Sequence, residues 1–452
     1  MAMVVFCVHP FAGSVYASLK LANDLKIMGH QICYFGVKDC QKFIEPNGFD
    51  FIPFFEHWLP ENTFTDTEKE QTNKLLNGFE KIREARHKIK HTKACIDALI
   101  SGQDKEYFEA IAKLKPDLMV IVATNYDSFI WALMAYKAGI KTIYLHDTLC
   151  RSETILSPPV ASNLVPDDSL TSKIRIALAW KLFLLTKLSR ESLFSLIGIG
   201  LSHFYNVKKL ANHYNYPVNL IDTATDLAAP KLKLVELVTC SAELEFSNTN
   251  QVGRYYIGMS IDTGRVQPDF PWQRINDNQP LIYCALGSLN YLKKQERIDF
   301  HQIVIDTAKL YKQWNLVIAI GDQLSVEQFQ SIPANVVLVN RAPQLDLLKK
   351  TSIMINHGGT NTIKECILFG VPMIAFPIGF DHPGNSARVV YHGLGLKGNI
   401  KGLTVKKMSE MLEQINNNSY YRIQMKLMRK KIEEVEESKI GSMVINNILS
   451  SD

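Results

Sequence analysis

Short apolar segments alternate with segments of helical spacing along both halves of this 452-residue chain. In the first half, residues 4–8, 31–35, 117–122 and 141–145 are rich in β-branched and other apolar side chains, and a helical pattern over 15–28 separates the first two. A β-α-β order of this kind places strands side by side, with a helix in each crossover. It predicts an α/β fold built on a parallel, doubly wound sheet.

The second half of the chain repeats this order. The predicted strands are 280–285, 316–320, 336–339, 353–356 and 373–376, with helices over 303–314, 404–415 and 419–436 and helix starts near Gln344, Thr360 and Gly384. Residues 258–279 are richer in Gly, Pro, Asp and Asn, which predicts a linker. We therefore expect domains at 1–257 and 280–452, with a ligand cleft between them at the carboxyl ends of the strands.

The composition excludes several classes of function. A net charge of +5 is too small for this length to indicate a nucleic-acid partner. The eight cysteines include no CxxC pair and no histidine at zinc-like spacing, so we expect reduced thiols in a cytoplasmic protein. The first residues lack the basic flank of a signal peptide, and no apolar run approaches the roughly 20 residues of a spanning helix. The sequence leaves the oligomeric state open.

A His-Gly-Gly turn gives the most specific local pattern. His357 follows the predicted strand 353–356, and a helix is predicted to begin at Thr360. Glycines at 358 and 359 let a diphosphate approach the backbone, and the helix start supplies unpaired N–H groups and the positive end of its dipole. His357 can also donate to a phosphate oxygen. The alternative is an ordinary strand-to-helix turn capped by Thr or Asn.

Polar residues around this turn suit the remaining parts of a nucleotide. Glu365 lies about two helical turns after the histidine and can accept two ribose hydroxyls. The planar guanidinium of Arg341 can stack on a base, while the amide of Gln344 can bond the edge of the base. Taken singly, each has an ordinary explanation, such as a glutamate on an exposed helix face.

Polar residues that follow two other predicted strands suit a sugar and a phosphate. Asp381, His382 and Asn385 lie in the loop after strand 373–376 and can bind sugar hydroxyls. Ser288 follows the 280–285 strand and can meet a phosphate from the opposite side. Together with the turn, these residues predict a nucleotide-sugar site.

The whole set resembles the donor signature of the UDP-glycosyltransferase family, whose members have the two-domain GT-B fold and invert the sugar. That signature reads, in outline, WxPQ, HxGxNS, ExxxxGVP, P, DQ and N. The matching residues here are the Arg341–Gln344 segment, His357, Gly359, Asn361, Thr362, Glu365, Gly370, Val371, Pro372, Pro377, Asp381 and Asn385. The resemblance implies two Rossmann-like domains, the first for the acceptor and the second for the donor. By analogy with GT-B enzymes, the tail from about residue 430 is expected to cross back to the first domain.

The resemblance also implies a role for each matched residue. It assigns the diphosphate to His357, Gly359, Asn361, Thr362 and Ser288, the ribose to Glu365, the uracil to Gln344 and Arg341, and the transferred sugar to Asp381 and His382. It implies no metal and no cofactor beyond the nucleotide sugar. Arg341 replaces a common aromatic, and His382 replaces the usual Gln, which leaves the identity of the sugar open.

The residue that activates the acceptor is harder to predict. In the family, the histidine of a GHxxP loop is the general base. Counting back from the later Gly-His pair places that position on Ser14, whose hydroxyl is not a base near neutral pH. The alternatives are His9 at the end of the first strand, Asp127 near the family's orienting Asp, and His146 and Asp147 after strand 141–145.

A basic and strongly apolar segment at 173–201 departs from the α/β pattern. It is dense in Leu, Ile and Phe and carries Arg175, Lys181, Lys187 and Arg190. It is typical of a buried or acceptor-lining helix pair. A surface that touches a membrane, or captures a lipophilic acceptor, is the alternative. The basic run over 81–93 is interpreted as a solvated helix face.

These observations predict a transferase that moves a hexose from a UDP-sugar or dTDP-sugar, with inversion, to a hydrophobic small-molecule or lipid-like acceptor. Without a strong base, such a site suits acidic hydroxyls such as phenols and enols. Two alternatives remain. One is a non-catalytic or auxiliary nucleotide-sugar-binding protein, because Ser14 replaces the usual base. The other is a sugar-nucleotide epimerase of the same two-domain fold.

Overall fold

The computed structural model describes residues 1–56, 59–62, 93–123, 126–149, 153–196, 203–223, 230–247, 251–287 and 292–451. The strands of the N-terminal half are, in chain order, β1 (Met3–Cys7), β2 (Gln31–Gly36), β3 (Asp50–Pro53), β4 (Leu118–Val122), β5 (Lys141–His146), β6 (Ile221–Asp222), β7 (Lys231–Leu232), β8 (Val235–Val238) and β9 (Arg254–Tyr256). Seven of them form one parallel sheet in the order β3-β2-β1-β4-β5-β8-β9, while β6 and β7 pair antiparallel.

A second parallel sheet forms the C-terminal half. Its strands are β10 (Leu281–Ala285), β11 (Asn315–Ala319), β12 (Val336–Val339), β13 (Thr351–Asn356), β14 (Met373–Ala375) and β15 (Gly395–Lys397). They follow the order β12-β11-β10-β13-β14-β15, so the strand order reverses between β10 and β13 just as it does between β1 and β4. The doubly wound fold class predicted from the sequence is confirmed. A crevice opens at each reversal, where ligands of such sheets bind.

Helices cover the faces of both sheets. Those of the described residues are α1 (Ala12–Ile27), α2 (Gln41–Ile44), α3 (Lys105–Leu114), α4 (Tyr126–Lys137), α5 (Leu170–Leu196), α6 (His203–His213), α7 (Lys294–Ala308), α8 (Gln344–Leu348), α9 (Thr360–Phe369), α10 (His382–Tyr391), α11 (Val405–Asn417), α12 (Ser419–Glu437) and α13 (Ile440–Ser450). Because helices cover both faces, the central strands are apolar throughout; all five residues of β4 are buried.

The helix predicted over 303–314 is displaced toward the N-terminus. The structure places α7 nine residues earlier, because the backbone N–H of Lys293 donates to Glu296 Oε2 at 3.0 Å and fixes the helix start there. At the other end, the side-chain amide of Asn335 donates to the carbonyl oxygens of Ala308, Tyr311 and Trp314, at 3.3, 3.1 and 2.8 Å. These bonds satisfy carbonyl oxygens of the last helical residue and of the turn after it, a tertiary effect that local periodicity does not contain.

Two segments singled out in the sequence lie partly outside the described residues. The apolar stretch predicted at 173–201 is helix α5 up to Leu196, and residues 197–202 are not described. Of the basic run at 81–93, only Lys93 is described. Within the described ranges, no helix combines the length and apolarity that crossing a bilayer requires.

The final helix packs on the N-terminal half of the molecule. Ile445 of α13 is fully buried in the core formed by β1, β4 and α1. His30 Nε2 lies 3.1 Å from Asn446 Oδ1, and a Cβ added to Gly441 would lie 3.1 Å from Leu21. The chain therefore passes from the N-terminal to the C-terminal half and then returns.

Candidate nucleotide-sugar site

His357 lies at the strand reversal of the C-terminal sheet, directly after β13. Its imidazole ring is held between two glycines. A Cβ on Gly287 would lie 2.5 Å from His357 Cε1, and a Cβ on Gly359 would lie 2.4 Å from Nε2. Gly287 also has a φ of +76°, in the left-handed region. The absence of two side chains thus leaves room for the imidazole ring of His357.

The electrostatic surroundings keep the imidazole of His357 neutral. Burial lowers the pKa of His357 well below its usual value, and His382 and Arg297 lower it further. The His382 ring meets it edge-on, with ring centroids 4.5 Å apart, and burial lowers the pKa of His382 to about 4. A neutral imidazole can donate one hydrogen bond to a phosphate oxygen without adding a positive charge.

The start of α9 has no capping side chain, because its N-cap residue is Gly359. The predicted alternative, capping by Thr or Asn, is wrong because both side chains have other partners. The hydroxyl of Thr360 donates to Asp381 Oδ2 at 2.9 Å, and Asn361 Nδ2 donates to the carbonyl oxygen of Gly13 at 2.8 Å. The backbone N–H groups of the first turn are therefore available to an anion.

Three of the predicted donor-binding residues form one hydrogen-bonded cluster. Gln344 Nε2 donates to Glu365 Oε2 at 2.5 Å and contacts Thr362 Oγ1 at 3.4 Å. The Glu365 residue is 1 % exposed, so the alternative of an exposed helix glutamate is wrong. Its Oε1 pairs with Arg265 at 2.7 Å. Glu365 is therefore an oriented, ion-paired carboxylate.

Sequence reasoning missed Arg265 and Tyr16, which complete this cluster. Arg265 belongs to the predicted linker, and its guanidinium lies 4.6 Å from the ring centroid of Tyr16 in α1. Burial raises the pKa of Tyr16, with Arg265 and Arg341 acting in the opposite direction. A lone arginine in a polar linker and a tyrosine in a helix carry no periodic signal, so neither could have been found without the fold.

Arg341 and Ser288 differ from the other donor-binding candidates. The Arg341 side chain is 61 % exposed and pairs with Asp322, with Nε 3.0 Å from Oδ1 and 2.9 Å from Oδ2. This bond raises the pKa of Arg341. The planar guanidinium of Arg341 is thus held at the rim of the site by the carboxylate of Asp322. Ser288 lies outside the described residues.

Asp381 takes part in a buried network at the start of α10. Its Oδ2 accepts from Thr360 and, at 2.8 Å, from Asn385 Nδ2, which also donates to the carbonyl oxygen of Gly358 at 3.0 Å. Burial raises the pKa of Asp381. The network fixes the His-Gly-Gly turn against α10, so Asp381 has a structural role besides any contact with a sugar.

The strand reversal of the N-terminal sheet brings together two of the candidate catalytic residues. His9 lies two residues after β1, and its Nδ1 is 2.7 Å from Asp127 Oδ2 at the start of α4. The His9 residue is 2 % exposed. Burial acts to lower the pKa of His9, but Asp127, and to a smaller extent Asp147, outweigh it, so the pKa is raised. This is the geometry of a histidine oriented by a carboxylate.

Ser14 and His146 have different surroundings. The Ser14 residue is buried, and its Oγ accepts from the backbone N–H of His9 at 3.3 Å, so it supports the His9 loop. The His146 Nε2 lies 3.4 Å from Glu236 Oε2 in a buried cluster with Lys231 and Arg254. Burial lowers the pKa of His146. The position of His146 is therefore explained by its contact with this buried cluster of charges.

The two strand reversals face each other across the molecule. The bond from Asn361 Nδ2 to the Gly13 carbonyl joins the start of α9 to the loop between His9 and α1. Among the residues that the structure describes, no three His, Cys, Asp or Glu side chains are grouped as metal ligands. That the site works without a metal stays a prediction.

Comparison with known proteins agrees with this geometry. Residues 308–437 match the family model described as "Erythromycin biosynthesis protein CIII-like, C-terminal domain". The demethyllactenocin mycarosyltransferase of Streptomyces fradiae is 27% identical over 182 residues, which are 40% of this chain and 38% of that protein. The chain is thus similar to glycosyltransferases, and the match to a family model lies in its C-terminal half.

Solved glycosyltransferase structures resemble the fold of this chain over its full length. The kitacinnamycin glycotransferase has a TM-score of 0.65 at 16% identity, covering 99% of this chain and 98% of that one. The glycosyltransferase VinC, solved in complex with dTDP, has a TM-score of 0.59 at 14% identity and 99% coverage of both chains. These likenesses establish the GT-B fold. Matches to the first curated relatives span 38% to 44% of their lengths.

Proposed function

We propose that this chain transfers a hexose from a UDP-sugar or dTDP-sugar to a hydroxyl of a hydrophobic acceptor, with inversion at the anomeric carbon. One observation carries the proposal. A histidine paired with a carboxylate and a glycine-lined helix start lie at facing strand reversals, joined by the 2.8 Å bond between Asn361 and Gly13. An acceptor base and a diphosphate site are the two elements that such a transfer needs.

The donor half of the proposal rests on the C-terminal reversal. The diphosphate accepts from the first-turn N–H groups of α9 and from the neutral imidazole of His357, which stabilises the charge that develops on the leaving group. Glu365, oriented by Arg265 and Gln344, accepts from the ribose hydroxyls. Asp381 and His382 contact the transferred sugar.

The acceptor half rests on His9. Its imidazole takes the proton of the attacking hydroxyl, and Asp127 stabilises the imidazolium that forms. The acceptor oxygen forms its bond to the anomeric carbon as the bond to the diphosphate breaks, so attack from the opposite face inverts the configuration. Because the His9 residue is 2 % exposed, the acceptor must displace part of the loop before α1 to reach it.

The chemistry of the two substrates is proposed on separate grounds. A thymidine diphosphate donor is supported by the VinC complex, and a UDP-sugar by the match of residues 341–385 to the family signature. A paired histidine is a stronger base than the Ser14 hydroxyl. It extends the expected acceptors from phenols to alkyl alcohols.

The decisive experiment incubates the full chain with UDP-glucose or dTDP-glucose and a panel of phenols and alkyl alcohols, with mass spectrometry of the products. We expect a glycoside from at least one pair, with an inverted anomeric centre by NMR and much less product with His357→Ala at donor concentrations below its Kd. His30→Ala is the matched control, since that histidine contacts Asn446 away from both reversals.

Two results would replace the proposal. Tight binding of the donor, with neither transfer nor hydrolysis under any condition, would support the auxiliary binding protein. Formation of an epimerised sugar nucleotide without any acceptor would support the epimerase.

A further inference from the structure

Helix α5 is apolar on two opposite faces, of which the protein covers one. Trp180 is fully buried, and its Nε1 donates to the carbonyl oxygen of Ser157 at 2.8 Å. Ile176, one turn earlier on the same face, is also buried. A helix that is apolar all round is normally enclosed on all sides. The outer face of α5 therefore requires a separate explanation.

The outer face carries a continuous row of large aliphatic side chains. Its six members are spaced three or four residues apart, so they lie on one face of the helix, and each is 50% to 74% exposed. They span about 27 Å at 1.5 Å per residue. This row, called the leucine stripe below, consists of Leu170, Ile174, Leu178, Leu182, Leu185 and Leu188. A contiguous exposed apolar surface of this kind marks an interaction site.

The charges along the leucine stripe, from residue 170 to residue 190, have one sign, and Glu191 follows after its end. Every ionisable side chain between residues 170 and 190 is basic, namely Lys173, Arg175, Lys181, Lys187 and Arg190. At 100° per residue, the exposed Arg175 and Lys181 flank the line of Leu178 on opposite sides. An apolar row bordered by cations complements an anionic lipid surface, where the chains bury the leucines and the headgroups bind the cations. Self-association through the same face would bring like charges together.

We propose that the leucine stripe docks on the surface of an anionic lipid bilayer, with α5 lying in the plane of the interface. This interaction goes beyond the proposed transfer and does not depend on it. Docking would also bring the cleft close to the bilayer, because the segment that leads into α5 contacts the donor half. There, the backbone N–H of Gly384 donates to the carbonyl oxygen of Val160 at 2.9 Å.

The test is sedimentation of the full chain with vesicles. We expect binding to vesicles of equimolar phosphatidylcholine and phosphatidylglycerol, and much weaker binding to phosphatidylcholine alone. Raising the salt concentration should weaken the binding to anionic vesicles. The double variant Arg175→Ala, Lys181→Ala should lose about five-fold in affinity per charge.

The stripe itself is tested by the triple variant Leu178→Ser, Leu182→Ser, Leu185→Ser. These side chains are exposed, so we expect normal folding and a loss of affinity on the order of a hundred-fold. The matched control is Leu310→Ser, Ile423→Ser, Leu427→Ser, which removes three side chains of 50% to 61% exposure from other elements. The control should bind vesicles as the unchanged chain does.

Three outcomes would overturn the proposal. The first is that the unchanged chain sediments with neither kind of vesicle, and the second is that the control triple loses binding as fully as the stripe triple. Light scattering could also show a dimer that only the stripe triple converts to a monomer, without vesicle binding. This third result would assign the stripe to a second copy of the chain.

Discussion

The two sheets present a histidine at the same topological place, yet the two imidazoles have opposite electrostatic surroundings. His9 follows β1 and His357 follows β13, each beside the point where strand order reverses. Asp127 raises the pKa of His9 against the effect of burial, whereas burial and a second histidine lower the pKa of His357. The strand order fixes where a ligand can bind, and the neighbouring residues determine the chemistry there.

This difference separates a proton acceptor from a hydrogen-bond donor. A histidine with a carboxylate partner holds a proton more strongly and is stabilised when it becomes an imidazolium. A histidine buried beside another histidine and an arginine stays neutral at ordinary pH and can only donate or accept a hydrogen bond. Substitutions at or beside His9 and at His357 change the surroundings of one imidazole at a time.

His9→Ala should have the largest effect. Removing the base should lower kcat by about 10²- to 10⁴-fold, while the Kd for the nucleotide sugar changes little. The measurement is steady-state transfer to an acceptor identified in the screen, together with calorimetric binding of the donor. His9→Gln, which keeps much of the side-chain volume, should lose as much rate. Full activity in either variant would exclude His9 as the base.

Asp127→Asn should lower kcat by up to about a hundred-fold and shift the pH profile. The imidazole of His9 must be neutral to accept a proton, so kcat should rise with pH through its raised pKa. Without the carboxylate, burial alone acts on the ring, and the midpoint of the profile should move to lower pH. Asp24→Asn, a partly buried carboxylate paired with Lys20 in α1, is the control. An unchanged midpoint in Asp127→Asn would refute the pairing.

His357→Ala should act on the donor. Loss of a hydrogen bond to a charged phosphate should raise the Kd for the nucleotide sugar by about ten- to a hundred-fold. Because the pKa of His357 is already far below its usual value, this loss should be the same from pH 6 to pH 8. Calorimetry at three pH values is the measurement. A Kd that depends on pH only in the unchanged chain would show that His357 binds the donor as a cation.

Ser14→Ala should have the smallest effect. It removes a hydroxyl that accepts from the backbone N–H of His9, a bond worth about 1 kcal/mol of stability. We expect a slightly lower melting temperature and a rate within about five-fold of the unchanged chain. Thermal denaturation and the same transfer assay measure both. A loss as large as that of His9→Ala would return the catalytic role to Ser14.

The donor side was predictable because its signals are local. The His357 turn, the glycines and the strand before them follow one another in the chain, so a single stretch specifies their geometry. Asp127 was predicted from the family resemblance, because an Asp near that position orients the base histidine there.

The acceptor side and the contacts between halves were less predictable. Counting back from the later Gly-His pair assumed a loop of fixed length and selected Ser14, whereas the structure pairs Asp127 with His9, closer to the strand end. Arg265 reaches Glu365 from the linker, and Tyr16 of the other half lies against the Arg265 guanidinium. Such partners depend on how two domains pack, which residue spacing does not encode.

The return of the chain to its first half has a mechanical consequence. The two covalent crossings between the halves, near residue 258 and near residue 438, touch each other, since the backbone N–H of Ser260 donates to Glu436 Oε1 at 3.0 Å. A substitution at Glu436 should therefore disturb both connections at once, while the bond between Asn361 and Gly13 still joins the halves at the cleft.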